Sequence, residues 1–314
     1  MNVPPKPEPA APILTVRDLK VHFHLEKTWV DRLFAGRNPR FVHAVDGVDL
    51  TVGKGETVGL VGESGSGKST LGLAIIALVD ILEGRITFRD QDITHLERQD
   101  RRRILRHIQM VFQNPYSSLN PAMRIRDIVG RQFAISDARL SQSEITDRIV
   151  AILRDVGLHP EDLEKYPHEF SGGQKQRISL ARALAPKPAF MIADEITSAL
   201  DVSIQSQILS LLLQIKASTD LSMIYITHDL RVARLITDSV AVMYLGRIIE
   251  YGPTRTIFEN PLHPYTAALL SAIPGNKVDK PVRLDGAVPS AVNLPVGCRL
   301  YGRCPHRMDI CKTE

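Results

Sequence analysis

The stretch Glu56-Thr-Val-Gly-Leu-Val-Gly-Glu-Ser-Gly-Ser-Gly-Lys-Ser-Thr-Leu-Gly-Leu-Ala-Ile-Ile-Ala-Leu-Val79 decides the fold of this chain. Residues 56–62 have the pattern of a buried strand, and residues 71–79 have that of an apolar helix. Between them, the residues from Gly62 to Ser69 match G-x-x-x-x-G-K-[ST] at every specified position. The order strand, loop and helix is that of a nucleotide-binding βα unit, so the sequence predicts an α/β fold.

The loop between this strand and helix has the chemistry of a phosphate cradle. Its glycines let backbone N–H groups approach the phosphates of a nucleotide, and the helix that follows offers its positive N-terminal end. Lys68 is expected to reach the β- and γ-phosphates of ATP, and Ser69 to ligate Mg²⁺. A glycine-rich turn with a solvated lysine is the structural alternative, but it does not account for the flanking strand and helix. The predicted nucleotide-binding residues of the cradle are Gly62, Glu63, Ser64, Gly65, Ser66, Gly67, Lys68, Ser69 and Thr70.

Further along the chain, an apolar strand ends in two acids, Asp194 and Glu195. A buried strand would deliver Asp194 to its carboxyl end as an oxygen ligand for Mg²⁺, and Glu195 would then polarise the attacking water. Two acids alone fit a solvated strand end equally well, and the cradle upstream favours the catalytic interpretation. His228, which follows the apolar strand SMIYIT, has the residue type and chain position of a group that senses the γ-phosphate.

The motif Ser171-Gly172-Gly173-Gln174, followed by KQRISLARAL, resembles the signature of the ATP-binding-cassette (ABC) family. Small residues before a helix form a second anion-binding nest, which suits a nucleotide held by a facing subunit rather than by the chain's own cradle. The resemblance implies a dimer that sandwiches two ATP molecules. Hydrolysis would then let the sandwich open.

Other motifs resemble those of the same family and follow its order along the chain. Gln113 in VFQNP resembles the glutamine loop, which joins the Mg²⁺ shell, and Ser198-Ala-Leu-Asp201 resembles the D-loop. Phe23 resembles the aromatic loop that stacks on adenine, with a core phenylalanine at a strand end as the alternative; Tyr166 fits packing better. The resemblance therefore assigns catalytic roles to Glu195, His228, Lys68 and Gln113, metal ligation to Ser69, Gln113 and Asp194, and nucleotide contacts to Phe23, Ser171, Gly172, Gly173, Gln174 and Asp201 in addition to the cradle.

The alternation of strands and helices favours a mostly parallel sheet covered by helices. The family resemblance adds an antiparallel β subdomain and an inserted helical subdomain at about residues 114–185, and the pattern from about 134 to 165 is helical. We expect a flexible lead-in at residues 1–12, the cassette at 13–252 and a C-terminal extension of loops and short elements at 253–314.

The tail narrows the family branch. PLHPYTAALLSAIP (261–274), GCRLYGRCPHRMDIC (297–311) and FQNPYSSLNP (112–121) resemble the oligopeptide, dipeptide and nickel importer ATPases. FSGGQKQRI and the insertion from His24 to Arg40 resemble the F-type subunit, which pairs with a related but distinct D-type subunit. The resemblance therefore favours a heterodimer over a homodimer, although some members of the family differ. Where that family has a proline after the two acids, this chain has Ile196, so the turn into the D-loop lacks the stiffness that proline would give it.

The resemblance implies an ATP-hydrolysing subunit that energises import of di- and oligopeptides from the cytoplasmic face of the membrane. Its implied partners are a D-type ATPase, two membrane permease subunits and, indirectly, an extracytoplasmic solute-binding protein. Nickel chelates, glutathione and sugars are alternative substrates for motors of this design. A soluble cassette acting on DNA or ribosomes is disfavoured, because such proteins carry two cassettes or a long coiled-coil insertion; the tail argues against an exporter.

The three cysteines, Cys298, Cys304 and Cys311, lie in a region where some relatives bind an iron–sulfur cluster. Such a cluster normally takes four thiolates. A bound cluster with a fourth ligand elsewhere, a zinc site and free buried thiols are the alternatives, and the lack of a C-x-x-C pair disfavours zinc.

Composition agrees with a globular ATPase that does not bind nucleic acid. With 44% apolar and 24% charged residues among 314, the chain buries a core and is not disordered as its main state. A net charge of +4 fits a mixed solvated surface better than a nucleic-acid-binding one. The longest apolar run, 71–79, is far shorter than the roughly 20 residues that a membrane helix needs.

Overall fold

Strands and helices alternate along the computed structural model, which describes residues 12–25, 40–136, 139–198, 200–273 and 283–313. The strands are β1 (Pro12–Leu25), β2 (Arg40–Gly53), β3 (Thr57–Val61), β4 (Glu83–Phe88), β5 (Gln91–Asp92), β6 (Ile108–Val111), β7 (Phe190–Asp194), β8 (Ser222–Thr227), β9 (Ser239–Tyr244) and β10 (Arg247–Pro253). The helices are α1 (Lys68–Ile75), α2 (Arg98–Leu105), α3 (Pro115–Ser118), α4 (Ile125–Ser136), α5 (Gln142–Asp155), α6 (Gly172–Leu184), α7 (Val202–Ser218), α8 (Leu230–Ile236), α9 (Thr254–Glu259) and α10 (Pro264–Ser271). Short 3₁₀ turns lie at Pro160–Glu164, Pro167–Glu169 and Asp309–Lys312.

The described residues divide into two compact units. The first contains the described parts of Val52–Thr57 and His95–Ile226, and the second those of Leu14–Thr51, Val58–Thr94 and Thr227–Glu314. Residues 1–11 of the predicted lead-in, and residues 26–39 of the predicted insertion, lie outside the described residues. The predicted domain boundary after residue 252 stays a prediction.

In the first unit, β6, β7 and β8 run parallel and in register. Val111 pairs with Ala193, and Asp194 at the end of β7 pairs with Ile226. Every residue of β7 and β8 is buried, which explains the nearly continuous apolar sequences FMIAD and SMIYIT. A parallel arrangement puts the carboxyl ends of neighbouring strands at one edge, and Asp194 reaches that edge.

The helices of the first unit begin earlier than the sequence pattern predicts. The predicted helical segment starts near residue 134, whereas α4 starts at residue 125. Gly130 explains the difference, because a Cβ there would lie 3.2 Å from Ile149 Cδ1 on α5, so the two helices approach closely. The helix α5 starts at Ser141, whose hydroxyl and backbone exchange hydrogen bonds with Glu144 in a capping box.

In the second unit, β3 and β9 are parallel and β10 is antiparallel to β9. A separate antiparallel sheet has the order β2-β1-β4-β5. The pairing of β1 with β4 shifts by a bulge between Arg17 and Lys20, and Asp18 within the bulge has φ 42°. The bulge changes which residues face the core, since Leu14 and Val16 are buried before it and Leu19 and Val21 after it. Strand content and sheet directions confirm the predicted α/β class with a mostly parallel sheet and an antiparallel sheet.

Within the second unit, the C-terminal extension packs on β9 through an aromatic pair. The rings of Tyr244 on β9 and Tyr265 on α10 lie 4.6 Å apart, and both side chains are buried. Leu270 and Leu300 belong to the same apolar cluster, with Cys298 and Cys304 packed at its margin. None of the helices in the described part of the chain combines the length and apolarity needed to cross a membrane.

Candidate functional site

The phosphate cradle is a glycine loop held against two backbone carbonyls. The loop leaves the fully buried β3 at residue 61 and enters α1 at Lys68. A Cβ at Gly62 would lie 2.1 Å from the Met243 carbonyl oxygen, and one at Gly67 would lie 2.1 Å from that of Ala44. Both glycines also have positive φ, 154° and 105°. Any other residue at these positions would displace the loop, so the two glycines define its path.

The side chain of Lys68 lies inside the loop and donates hydrogen bonds to it. Its Nζ donates to the carbonyl oxygens of Gly62 and Glu63 at 2.9 and 2.8 Å and to Ser66 Oγ at 3.3 Å. The residue is only 4% exposed. A lysine ammonium has three donors, and these contacts hold it inside the loop that the sequence predicts as the phosphate site.

The N-terminus of α1 is suited to an anion. The first turn carries no acidic residue that would neutralise the positive end of the helix dipole. Ser69 lies exposed in this turn, with its hydroxyl as an oxygen ligand of the type that Mg²⁺ prefers. The donor chemistry therefore fits a nucleotide with its metal ion.

Two residues of the C-terminal extension hold the cradle at Glu63. Arg303 donates to both carboxylate oxygens of Glu63, at 2.8 and 3.0 Å, and the Glu63 backbone N–H donates to the Tyr265 hydroxyl at 2.9 Å. The hydrogen bonds that Arg303 donates to Glu63 raise the pKa of Arg303, and burial raises the pKa of Tyr265. Both Arg303 and Tyr265 therefore stay protonated at neutral pH. We call their contacts with Glu63 the Glu63 latch.

The first unit brings Gln113 and Glu195 into direct contact. Gln113 Nε2 donates to Glu195 Oε2 at 2.9 Å, although the residues are far apart in sequence. Glu195 has φ 46°, a left-handed conformation that is uncommon for a residue other than glycine, and its N–H donates to the Ile226 carbonyl oxygen at 2.9 Å. Strained backbone of this kind concentrates at functional sites, where the surrounding structure holds it in place.

The residues around Glu195 are fixed by packing. Asp194 is 6% exposed at the end of β7. Ile196, which stands where the resembling family has proline, is buried in the core, and Thr197 Oγ1 lies 3.2 Å from the Tyr225 hydroxyl. The predicted effect of Ile196 on the stiffness of this turn stays a prediction.

The signature motif forms the start of α6. Ser171 is the N-cap, its Oγ accepts from the Gln174 N–H at 3.3 Å, and its own N–H donates to Gln174 Oε1 at 2.9 Å. Ser171 and Gln174 are exposed. Gln174, predicted to contact nucleotide, uses its side-chain oxygen in this capping box.

The two signature glycines have different surroundings. A Cβ at Gly173 would lie 2.5 Å from Ile204 Cγ2 on α7, so Gly173 allows the two helices to pack. A Cβ at Gly172 would meet its nearest atom, the Tyr116 hydroxyl, at an ordinary 3.6 Å. Packing among the described residues therefore explains Gly173 but not Gly172.

We expect substitutions at these glycines to separate stability from activity. Gly173→Ala should destabilise the protein by about 1 to 3 kcal/mol, because the added methyl overpacks against Ile204. Gly172→Ala should leave stability unchanged and lower ATP hydrolysis at least about tenfold, because the methyl obstructs an approaching nucleotide. Urea unfolding and steady-state ATPase assays on both variants test this, and equal activity of Gly172→Ala and the parent protein would contradict it.

The other predicted residues lie where the sequence analysis expects them along the chain. His228 directly follows β8 and is exposed, and Asp201 is the exposed N-cap of α7. Phe23 on β1 is 41% exposed, which argues against the alternative of a core phenylalanine. Tyr166, assigned to packing, accepts a hydrogen bond from Arg124 Nε at 3.3 Å and stacks on His168.

The cysteines of the tail do not form a metal-binding group with His, Asp or Glu in the described residues. All three are free and half-buried. Cys298 is linked to Cys311 through the backbone, since its N–H donates to the Cys311 carbonyl oxygen at 3.0 Å. The structure thus lends no support to the cluster considered from the sequence.

Within each unit, the structure brings some predicted residues together. The first unit holds Gln113 against Glu195 and carries the signature, and the second holds Lys68 inside the cradle. Sequence reasoning missed Tyr265 and Arg303, because the tail was noted only for its resemblance to importers. The available signal was that Tyr265 and Arg303 lie within the two tail motifs, PLHPYTAALLSAIP and GCRLYGRCPHRMDIC.

A cradle, a strand ending in acids and a capped glycine signature on an α/β fold define an ATP-binding cassette ATPase. Residues 45–198 match the family model described as ABC transporter, and residues 249–311 match that of the oligopeptide/dipeptide transporter C-terminal region. The solved structure of the cassette MJ0796 as a dimer bound to ADP and Pi is similar, with a TM-score of 0.67 and 25% identity over 77% of this chain and 99% of that one.

Two curated relatives match over nearly the whole chain. The oligopeptide transport ATP-binding protein OppF of Salmonella typhimurium is 45% identical, over 93% of this chain and 88% of the relative. The di/tripeptide transport ATP-binding protein DppF of Pseudomonas aeruginosa is 43% identical, over 96% of this chain and 92% of the relative. This chain belongs to the oligopeptide and dipeptide transporter family of ABC ATP-binding proteins, and it is an ABC transporter ATPase. The predictions of fold, enzyme class and family are confirmed.

Proposed function

We propose that this chain is one half of an unlike ATPase pair that energises uptake of di- and oligopeptides. It would work at the cytoplasmic face of the membrane with a D-type ATPase and two permease subunits, supplied by a solute-binding protein outside. The C-terminal extension carries the proposal, because it matches the family model of the oligopeptide/dipeptide transporter C-terminal region. Its Arg303 also donates two hydrogen bonds to Glu63 of the phosphate cradle. Both relatives described above are named for peptide transport.

The donor set supports a division of labour in ATP hydrolysis. The hydroxyl of Ser69, the carboxylate of Asp194 and the amide oxygen of Gln113 are hard ligands that suit Mg²⁺. Because Gln113 Nε2 donates to Glu195, its Oε1 is the amide atom with acceptor capacity for a cation. When bound, Mg²⁺ would neutralise charge on the β- and γ-phosphates.

Glu195 is proposed to polarise the attacking water. Its side chain is held by Gln113 and its backbone by Ile226, so the carboxylate is oriented before substrate arrives. Orientation of the base in advance lowers the barrier, because the reacting groups then need not reorganise. His228 would sense the γ-phosphate, Phe23 would stack on adenine, and Asp201 would contact nucleotide through the D-loop.

Dimerisation is proposed from the signature. Ser171 is exposed and Gly172 has no packing reason to be glycine. The N-terminus of the 13-residue α6 carries no acid in its first turn, so it would attract the γ-phosphate of a nucleotide held by the facing subunit. Ser171, Gly172, Gly173 and Gln174 would thus complete the partner's site.

Assembly tests the proposal directly. The chain is co-expressed with two candidate permeases and a D-type ATPase, and ATP hydrolysis in membranes is measured with and without a solute-binding protein loaded with a tripeptide. We expect co-purification of the four subunits and stimulation of hydrolysis by the loaded binding protein. Failure to co-purify with membrane subunits would contradict the importer, and stimulation only by a nickel chelate, glutathione or a sugar would contradict peptide import.

A further inference from the structure

Two histidines and an aspartate meet between β1 and β2, outside the residues assigned to ATP hydrolysis. His22 Nε2 lies 3.2 Å from Asp46 Oδ1 and 3.1 Å from His43 Nδ1. One ligand atom from each residue lies within 4.8 Å of the other two. The side chains of His22 and Asp46 are 13% and 16% exposed, so the cluster is sheltered but reachable from solvent.

Hydrogen bonding alone leaves this arrangement incompletely satisfied. A ring nitrogen of histidine either carries one hydrogen or offers one lone pair. If His22 Nε2 donates to Asp46, the same hydrogen must also serve His43 Nδ1; if His43 donates to His22, the lone pair of His22 faces a carboxylate oxygen. In the first case one hydrogen is shared between two acceptors, and in the second two lone pairs face each other, so neither case gives two full hydrogen bonds. A cation at the centre of the three atoms would receive a lone pair from each of them.

The distances fit a first-row transition metal. Zinc bonds of about 2.0 to 2.2 Å in a tetrahedron place neighbouring ligand atoms about 3.3 to 3.6 Å apart. Two of the three separations, 3.1 and 3.2 Å, are within a few tenths of an ångström of that range, and the third is below 4.8 Å. Two imidazoles and a carboxylate suit zinc better than Mg²⁺ or Ca²⁺, which prefer oxygen ligands.

The second oxygen of the carboxylate is already fixed. Asp46 Oδ2 accepts from Arg299 Nη2, and Arg299 Nη1 donates to the Leu245 carbonyl oxygen. The Asp46 N–H donates to the Gly246 carbonyl oxygen at 2.9 Å. These contacts orient Oδ1 toward the histidines, in the way that outer partners orient ligands in metal sites. The arginine charge weakens cation binding, and three ligands offset it.

We infer that His22, His43 and Asp46 form a Zn²⁺-binding site with its fourth position open to water. The bound ion joins two neighbouring strands of the antiparallel sheet. The strand β1 also carries Phe23, and the Ala44 carbonyl next to His43 borders Gly67 of the cradle. The ion therefore stiffens a part of the sheet that touches the nucleotide loop.

Metal titration of the full chain tests this site. The protein is stripped with a chelator, and Zn²⁺ binding is measured by calorimetry and Co²⁺ binding by absorption. We expect one equivalent, a visible Co²⁺ spectrum without the thiolate charge-transfer band, and a melting temperature raised by at least about 3 °C at a hundredfold excess over Kd. His43→Ala should weaken binding at least about tenfold.

The matched control is His24→Ala, an exposed histidine two residues from His22 on the same strand, which should bind as the parent does. Thermal unfolding of the metal-free variants checks their folding, and His43→Gln replaces His43→Ala if the alanine variant does not fold. Equal affinity of the parent and a His22→Ala/His43→Ala double variant would overturn the site. A thiolate charge-transfer band would do so too, by placing the ion on the tail cysteines.

Discussion

The Glu195→Gln variant is expected to lose ATP hydrolysis about 10²- to 10⁴-fold while it keeps its affinity for ATP. The amide has the size of the carboxylate and still accepts a hydrogen bond from Gln113, so the local geometry is retained. It cannot take a proton from water, which removes the contribution of a general base. ATP binding depends on the cradle, where Lys68 and the loop are unchanged.

Two measurements separate these effects: phosphate release under single turnover, and equilibrium binding of a fluorescent ATP analogue. A dimer that accumulates with ATP, detected by size-exclusion chromatography, would agree with a sandwich that closes and does not reopen. The matched control is Glu259→Gln, which removes a surface ion pair with Arg255 far from any predicted site residue in sequence and should hydrolyse ATP normally. Normal hydrolysis by Glu195→Gln would show that another group activates the water.

The Lys68→Ala variant is expected to lose nucleotide affinity and activity together. A hydrogen bond from a charged group contributes about 1.5 to 3 kcal/mol, so affinity for ATP should fall roughly 10- to 150-fold. The change also removes the donor that joins the carbonyl oxygens of Gly62 and Glu63 from inside the loop. The loop then loses its shape even before nucleotide arrives.

Lys68→Arg is the informative comparison, because it keeps the charge in a position that is only 4% exposed. The larger guanidinium cannot occupy the same space, so we expect binding to be impaired as well. Calorimetry with Mg²⁺–ATP gives the affinity, and thermal unfolding confirms that the variants are folded. Unchanged affinity in Lys68→Ala would contradict the assignment of the cradle.

Local patterns predicted the strands and the cradle well. The strand β7 lies where its apolar sequence places it, and the glycines of the cradle follow from the spacing of one motif. The start of α4 was missed, because Gly130 reads as a helix breaker until α5 is known to pack on it. The bulge at Asp18 was missed for a related reason, since register depends on the partner strand.

The sequence likewise predicted some features of the candidate site and missed others. Sequence motifs predict that Gln113 and Glu195 belong to the site. Their hydrogen bond and the left-handed backbone of Glu195 could not be predicted, because they depend on the neighbouring strand. The capping box of Ser171 and Gln174 is local, and its S-x-x-Q pattern was visible in the sequence. The cluster of His22, His43 and Asp46 lies on two strands that an insertion separates in the sequence. No short sequence motif therefore predicts it.

The Glu63 latch makes the phosphate loop of this chain depend on its C-terminal extension. A protein cut after β10 would leave the carboxylate of Glu63 without its countercharge and the ring of Tyr244 without the tilted ring of Tyr265 that packs against it. A different tail could replace this one without loss of these contacts only if it supplied an arginine and a tyrosine at matching positions. A change at Arg303 or Tyr265 in the tail is thereby expected to be felt at Glu63 in the phosphate loop.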